Sequence, residues 1–163
     1  MAVYAASTGT ERSYHYLGGL WTFLATGDDT AGQFALMEVH VRRGLEPPPH
    51  THTKEDELYY LLEGEMEFVA GDARHTIQAG ASIFLPKNIP HQFRLVSAEA
   101  RFLLQVVPAG LEQMFITLAR PAPEAILPPP PAGPPPPEFL QQVKALQREY
   151  GIVGMDNTKI VGS

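Results

Sequence analysis

Three histidines and one glutamate in the middle of the chain could together bind a metal ion: His50, His52, Glu57 and His91. His50 and His52 are two residues apart, so in an extended strand both side chains point to the same face. Glu57 precedes a short apolar run and is expected to be the first inward-facing residue of the next strand, where it would add an anionic oxygen. The alternative is that the histidines are exposed polar residues on the proline-rich loop before His50.

A site of three neutral imidazoles and one carboxylate predicts a particular cofactor. Nitrogen and oxygen ligands of this kind suit one divalent ion of iron, nickel, manganese, cobalt, copper or zinc, and ligand types alone do not decide which. Four protein ligands would leave coordination positions open on a five- or six-coordinate ion, and open positions are where a substrate can react. The side chains of Tyr59, Phe93 and Leu95 share strand parity with the ligands and are predicted to line the substrate pocket, or else to be plain barrel core.

The elements that must position these residues are short strands. Between residues 14 and 120 the chain shows no long segment of helical periodicity but about ten β-type runs separated by turn residues. Gly64-Glu65 is predicted to be the two-residue turn of a hairpin. The assigned strands cover residues 20–26, 33–41, 57–63, 66–70, 74–78, 82–85, 91–96, 100–107 and 114–119. This spacing favours an all-β antiparallel sandwich or barrel.

The region after the barrel is different in composition. Residues 121–137 contain ten prolines, which predicts a polyproline-type strap or linker. Residues 138–150 carry apolar side chains at helical spacing, and Gly151 is a plausible end of that helix. We therefore predict a barrel at 14–120, a linker at 121–137 and a helix with a tail at 138–163. The apolar stripe of the helix could dock on its own barrel or on a second subunit, and residues 157–163 are predicted to be a loose end.

Composition excludes several classes of function. The net charge of −6, without a lysine or arginine cluster, makes nucleic acid and anionic membrane poor partners. The chain has no cysteine, so thiolate ligands, disulfides and a cysteine nucleophile are impossible. No apolar stretch is long enough to cross a bilayer, and the first residues do not resemble a signal peptide. We therefore expect a cytoplasmic protein of one main domain.

The spacing of Gly44, His50, His52, Glu57 and Gly64 resembles the first motif of the cupin superfamily in every fixed position. The second motif is recognisable in a further set of residues: Gly80, Pro86, Asn88 and His91. It departs from the family at two positions, since Asn88 replaces a glycine and Leu95 replaces an asparagine. The resemblance implies a jelly-roll cupin barrel, a double-stranded β-helix, with His50, His52, Glu57 and His91 as its metal ligands. It also implies a homodimer formed through sheet edges.

A longer resemblance narrows the family. Residues 24–34, LATGDDTAGQF, and 50–65, HTHTKEDELYYLLEGE, resemble single-domain bacterial quercetin 2,3-dioxygenases. This implies an enzyme that cleaves a flavonol or a related aromatic enol with O2 and releases carbon monoxide, with Glu57 acting as base as well as ligand. Such activity should weaken as the histidines become protonated near pH 6.5. Two alternatives stay open: another metal-dependent cupin enzyme, such as a decarboxylase or isomerase of a small oxygenated substrate, or a ligand-binding module without catalysis.

Overall fold

The fold consists of short strands with three helices, as seen in a computed structural model that describes residues 3–154. The strands are β1 Ser13–Tyr16, β2 Gly19–Ala25, β3 Ala35–Arg42, β4 His50–His52, β5 Asp56–Glu63, β6 Glu65–Ala70, β7 Ala73–Gln78, β8 Ser82–Leu85, β9 His91–Leu95, β10 Glu99–Val107, β11 Arg120–Pro121 and β12 Ile152–Gly154. The helices are α1 Gly27–Thr30, α2 Leu111–Leu118 and α3 Pro137–Glu149, and a 3-10 turn covers Thr10–Arg12.

The strands form two antiparallel sheets. The larger sheet has the order β11-β1-β2-β3-β10-β5-β8, and the smaller one has the order β12-β4-β9-β6-β7. Alternate residues of the central strands are buried, as on β3, where Ala35, Met37 and Val39 are fully enclosed. These inward side chains form one core with those of the opposite sheet. The architecture confirms the all-β jelly-roll barrel with a proline-rich strap and a short C-terminal helix.

One predicted strand is a helix. Residues 114–119 were expected to be extended, but residues 111–118 form α2, so that prediction is wrong. The reason is visible in the burial: Leu111, Met114, Phe115 and Leu118 have helical spacing and pack one face into the core. The buried carboxylate of Glu112 also accepts the backbone N–H of Gly110, at the start of the helix, over 2.6 Å.

The predicted hairpin turn at Gly64-Glu65 is also wrong. Strand β5 pairs with β10 and β8 in the larger sheet, whereas β6 pairs with β7 and β9 in the smaller one. Gly64 has φ +91°, and a Cβ at this position would lie 2.6 Å from the carbonyl oxygen of Glu99. Glycine is required here because the chain crosses between the sheets in close contact with the backbone at the start of β10.

The C-terminal region docks on its own barrel. The strap is held by backbone carbonyls, since Ile126 O lies 3.1 Å from His15 Nε2 and Pro128 O accepts a hydrogen bond from Arg42. Val143 of α3 is buried in the main core, and β12 pairs with β4. No helix in residues 3–154 is both long and apolar enough to span a membrane. The loose end predicted at 157–163 lies outside the described residues.

Candidate metal centre

The backbone brings the four predicted ligands together. Strands β4 and β9 are neighbours in the smaller sheet, and His50 lies opposite His91 in their register. The ligand atoms of His50, His52 and His91 all lie within 4.8 Å of one another. Glu57 enters from the opposite sheet: its Oε2 lies 3.1 Å from His91 Nε2 and its Oε1 lies 3.7 Å from His52 Nε2. All four side chains therefore face one point between the sheets.

Two of the histidines are oriented by backbone carbonyls. His50 Nδ1 lies 2.8 Å from the carbonyl oxygen of Pro48, and His91 Nδ1 lies 3.0 Å from that of Ile89. A carbonyl oxygen only accepts, so each Nδ1 carries the hydrogen and donates it. Each Nε2 is then left with a free lone pair directed at the centre. A histidine that binds a metal through Nε2 requires this tautomer of the ring.

The third histidine faces a buried carboxylate that sequence reasoning missed. Glu55 Oε2 lies 3.6 Å from His52 Nδ1, and the side chains of His52 and Glu55 are only 3% and 4% exposed. Neither atom has a hydrogen-bond partner among the described residues. Glu55 lies in a run of charged residues that the sequence presents as a polar loop, so no local signal separates it from its neighbours. The structure places it directly behind the ligand.

The surroundings shift the ionisation of these groups in different directions. Burial, helped by the charges of His91 and His52, lowers the pKa of His50 to about 4. Burial acts in the same direction on His52, but Glu55 and Glu57 outweigh it and raise the pKa of His52 above its ordinary value. Burial opposes ionisation of Glu57, yet the histidines around it hold the pKa of this carboxyl below its ordinary value. Glu57 is therefore ionised at neutral pH.

A largely apolar cavity of about 290 Å³ opens onto the four-residue centre. Tyr59 and Phe93, two of the predicted pocket residues, line it, and the Tyr59 hydroxyl donates a 3.5 Å hydrogen bond to Glu57 Oε1. Leu95 does not line the cavity: it is 2% exposed in the core, and its backbone N–H donates to Glu46. It shares parity with His91, but four residues of strand carry it roughly 13 Å further along the barrel.

Much of the cavity wall comes from residues that sequence reasoning did not assign. One part is aromatic and belongs to β1, β2 and α2: Tyr16, Trp21 and Phe115. Another part belongs to the C-terminal region: Leu140, Val143, Lys144, Gln147, Ile152 and Gly154. The amphipathic pattern of residues 138–150 predicts an apolar stripe but does not say which surface it covers. In the fold, that stripe covers the mouth of the barrel.

The residues present fit a divalent ion. Glu57 Oε2 and His91 Nε2 are buried and lie only 3.1 Å apart, and neither atom has a hydrogen-bond partner within residues 3–154. A buried polar atom without a partner costs about 1–3 kcal/mol, so an ion bonded to both would remove a real penalty. Three neutral imidazole nitrogens and one carboxylate also form the donor set that first-row divalent metals accept. The geometry supports a centre with His50, His52, Glu57 and His91 as ligands.

Comparison with known sequences finds a family model and several relatives that match parts of the chain. Residues 37–107 match the family model described as Cupin domain. The quercetin 2,3-dioxygenase of Bacillus subtilis (strain 168) is 22% identical over 118 residues, covering 72% of this chain and 35% of that protein. The quercetin 2,3-dioxygenase of Aspergillus japonicus is 27% identical over 110 residues, covering 63% of this chain and 31% of that protein. The chain spans about a third of the length of these two relatives.

Comparison with solved structures gives the same fold class, an antiparallel β-barrel. A Streptomyces PAC13 solved with uridine superposes with a TM-score of 0.55 at 23% identity, covering 69% of this chain and 88% of that one. KdgF from Halomonas sp. superposes with a TM-score of 0.54 at 16% identity, covering 61% of this chain and 91% of that one. Likeness at this level of identity establishes the barrel and leaves the chemistry to the site.

Proposed function

We propose that this chain, a cupin whose residues 37–107 match the family and which resembles quercetin 2,3-dioxygenases, is a metal-dependent oxygenase of flavonols. The substrate would be a flat aromatic enol such as quercetin, and the co-substrate would be O2. The observation that carries the proposal is the position of the ionised Glu57 beside His50 and His52 in the wall of an aromatic, largely apolar cavity, with His91 Nε2 lying 3.1 Å from Glu57 Oε2. We further propose that the protein is a homodimer that works in the cytoplasm.

His50, His52, His91 and Glu57 would hold the metal. When bound, a divalent ion would supply a Lewis acid that makes the hydroxyl of the substrate more acidic and a site at which O2 reacts. The carbonyls of Pro48 and Ile89 keep two of the rings in the required tautomer, and Glu55 faces the third ring. These groups fix the ligands before the substrate enters, so little reorganisation is needed.

Glu57 would accept the proton of the 3-hydroxyl of the flavonol. The histidines lower the pKa of Glu57, so its carboxylate is available as a base at neutral pH. Burial and the charge of Glu57 raise the pKa of Tyr59 well above its ordinary value, so Tyr59 stays a neutral hydrogen-bond donor. Its hydroxyl lies 3.5 Å from Glu57 Oε1 and would hold the carboxylate in place while the proton moves.

The cavity would protect the deprotonated substrate. Its walls include Phe93, Phe102 and Trp21, which present aromatic faces or edges to a planar ligand and carry few groups that bind water. The volume lies at the lower end of the roughly 300–1,000 Å³ typical of small-molecule sites, which suits one compact aromatic substrate. One flavonol and one O2 would give one ring-opened ester and one carbon monoxide. Both atoms of O2 would stay in the ester, and the ring carbon that bears the 3-hydroxyl would leave with its own oxygen.

The test is turnover with defined metals. The protein is produced with iron, nickel, manganese, cobalt or copper, its metal content is measured, and quercetin is added in air. We expect loss of flavonol absorbance, O2 uptake and carbon monoxide release in equal amounts with at least one metal. Glu57→Gln keeps the shape of the base but cannot accept the proton, and should lower kcat by about 10²- to 10⁴-fold.

Two outcomes would reject the assignment. Absence of turnover with every metal would exclude the flavonol reaction and leave a cupin enzyme with another small oxygenated substrate. Tight binding of the flavonol without consumption of O2 would instead indicate a ligand-binding module.

A further inference from the structure

We propose that Lys144 of α3 selects, among aromatic enols, those that carry an anionic group on the part of the molecule farthest from the metal centre. This rests on the proposed function, since it concerns the same cavity and the same substrate class. Lys144 lies on α3, outside residues 37–107, the segment that matches the family model.

The segment that carries Lys144 is fixed against the metal-binding strand. Strand β12 pairs with β4 so that Ile152 lies opposite His52 and Gly154 lies opposite His50. The carbonyl oxygen of Gly151 accepts hydrogen bonds from the Thr53 backbone N–H, over 3.0 Å, and from the Thr53 hydroxyl, over 2.7 Å. Helix α3 and the ligands are thus held in one frame.

The end of the helix is held by a charge. Lys54 Nζ donates a 2.9 Å hydrogen bond to the carbonyl oxygen of Glu149, in the last turn of α3. A cation at this end of a helix satisfies an exposed carbonyl and interacts favourably with the helix dipole. Lys54 lies two residues after β4, and β12 pairs with β4, so both attachments of this region are made at β4. The wall that α3 forms therefore has a defined position over the cavity.

Lys144 is the only lysine or arginine among the described residues that line the cavity. Two acidic residues also line it, but both are already engaged. The carboxylate oxygens of Glu46 accept the backbone N–H groups of Gly44 and Leu95, over 2.7 and 2.9 Å, and Glu57 belongs to the metal centre. In residues 3–154, no carboxylate lies within ion-pair distance of Lys144. Among the residues that the structure describes, the ammonium group of Lys144 is therefore the one lysine or arginine charge in the cavity wall, and it has no ion-pair partner there.

The position of that charge defines the substrate. Lys144 is exposed although it lines the cavity, so its aliphatic stem covers the wall while its ammonium group stays at the solvent-facing mouth. His52 and Glu57, by contrast, are fully buried at the metal centre. A ligand whose enol reaches Glu57 would extend its other ring toward the mouth. A carboxylate or sulfonate on that ring would meet the ammonium of Lys144, and Gln147 beside it offers a neutral amide donor.

Binding can be measured without catalysis because Trp21 lines the cavity and is the only tryptophan of the chain. The protein is loaded with Zn²⁺, which does not support redox turnover. It is titrated with 3-hydroxyflavone and with 3-hydroxyflavone-4′-carboxylic acid, two ligands that differ only in charge. Quenching of Trp21 fluorescence gives both dissociation constants, and free N-acetyltryptophanamide corrects for absorption by the ligands. The ratio of the two constants is the quantity of interest.

We expect the wild-type protein to bind the carboxylate about three- to fivefold more tightly than the neutral flavone, as for an exposed ion pair. Lys144→Met keeps the apolar stem and should abolish the preference, so that the two dissociation constants become equal. Lys144→Glu should reverse it. The preference of the wild type should also shrink at high salt. Lys87→Glu is the matched control, since Lys87 is exposed but does not line the cavity, and should leave the ratio unchanged.

The results separate this inference from the proposed function. Equal binding of both flavones by wild type, Lys144→Met and Lys144→Glu would overturn the role of Lys144 and leave the flavonol assignment intact. A change of the same size in Lys87→Glu would also overturn it, because the effect would then come from net charge. A Lys144-dependent preference without turnover in any metal form would support the inference and reject the oxygenase. Failure of both flavones to bind would reject both.

Discussion

Replacing Glu55 with glutamine should weaken metal binding about tenfold near pH 8, although Glu55 is not itself a ligand. The carboxylate of Glu55 lies 3.6 Å from His52 Nδ1, and both atoms are buried without another partner. A buried carboxylate at this position stabilises positive charge on the ring and makes Nε2 a stronger donor to a metal. Glutamine keeps the shape and an acceptor oxygen but loses the charge, which corresponds to about 1.4 kcal/mol.

The size of the effect should depend on what replaces Glu55. Alanine removes the oxygen that faces His52 Nδ1 as well as the charge, so residue 55 then places no polar side-chain atom beside the buried ring. Glu55→Ala should therefore weaken binding by about 100-fold, at the upper end of the range for groups that support metal ligands. The order wild type, then glutamine, then alanine is the signature of a positioning role.

The deficit should also shrink as the pH falls. Glu55 contributes to the raised pKa of His52, so in the wild type this histidine holds a proton that the metal must displace at acidic pH. Glu55→Gln lowers the pKa of His52, and less proton competition then offsets the lost charge. The variant should therefore differ from the wild type by less at about pH 6 than at about pH 8.

The assay is a competition titration of the metal-free protein with Zn²⁺ and a chromogenic chelator at both pH values. Glu67→Gln is the matched control because it removes a carboxylate that pairs with the surface residues Arg74 and Arg94, away from the metal centre. Wild-type affinity in Glu55→Gln at both pH values, or a deficit that grows on acidification, would show that Glu55 does not support His52 as a ligand.

Three further predictions concern the rest of the fold. Gly151→Val should lower stability in thermal unfolding by about 1–3 kcal/mol, since Gly151 has φ +78° and a Cβ there would overlap the Thr53 hydroxyl. Gly154→Ala should be nearly neutral, because a Cβ at that position meets no described atom. Glu67→Gln should cause a small loss of stability at neutral pH. The hydrogen bond from Arg94 is the main reason that the pKa of Glu67 falls to about 2. In urea unfolding, the stability difference between wild type and variant should therefore vanish as the pH falls from 4.5 toward 2, and a difference that stays constant would contradict this prediction. Light scattering should give twice the chain mass of 17.9 kDa if the protein is a homodimer, and a monomer mass would reject that proposal.

The convergence of the four candidate ligands could be predicted because it depends largely on local geometry. Two histidines two residues apart on a strand must share a face, and a glutamate at the start of the next strand can reach the same point. The family resemblance then placed His91 on a neighbouring strand, and the structure brings its Nε2 within 3.1 Å of Glu57. The alternation of apolar residues similarly indicated most strands of the barrel.

The wrong predictions have a common cause, because they depended on which distant segment a residue contacts. Residues 111–118 form a short apolar run that is compatible with a strand or a helix. Packing against the core determines that it forms a helix. Gly64 has the backbone freedom of a hairpin turn, but the partners of the flanking strands lie elsewhere in the chain. Leu95 has the right parity and lies too far along the strand. The wall formed by α3 depends in the same way on tertiary packing.

His50, His52, Glu57 and His91 should together bind one metal ion, and the metal content of the purified protein is the decisive measurement. Elemental analysis after dialysis should find one transition-metal ion per chain in the wild type. The triple variant His50→Ala, His52→Ala, His91→Ala should contain none while keeping the β-sheet signal of its circular dichroism spectrum. A wild type that binds no metal from any of the divalent ions supplied, or a triple variant that retains the ion, would contradict the claim.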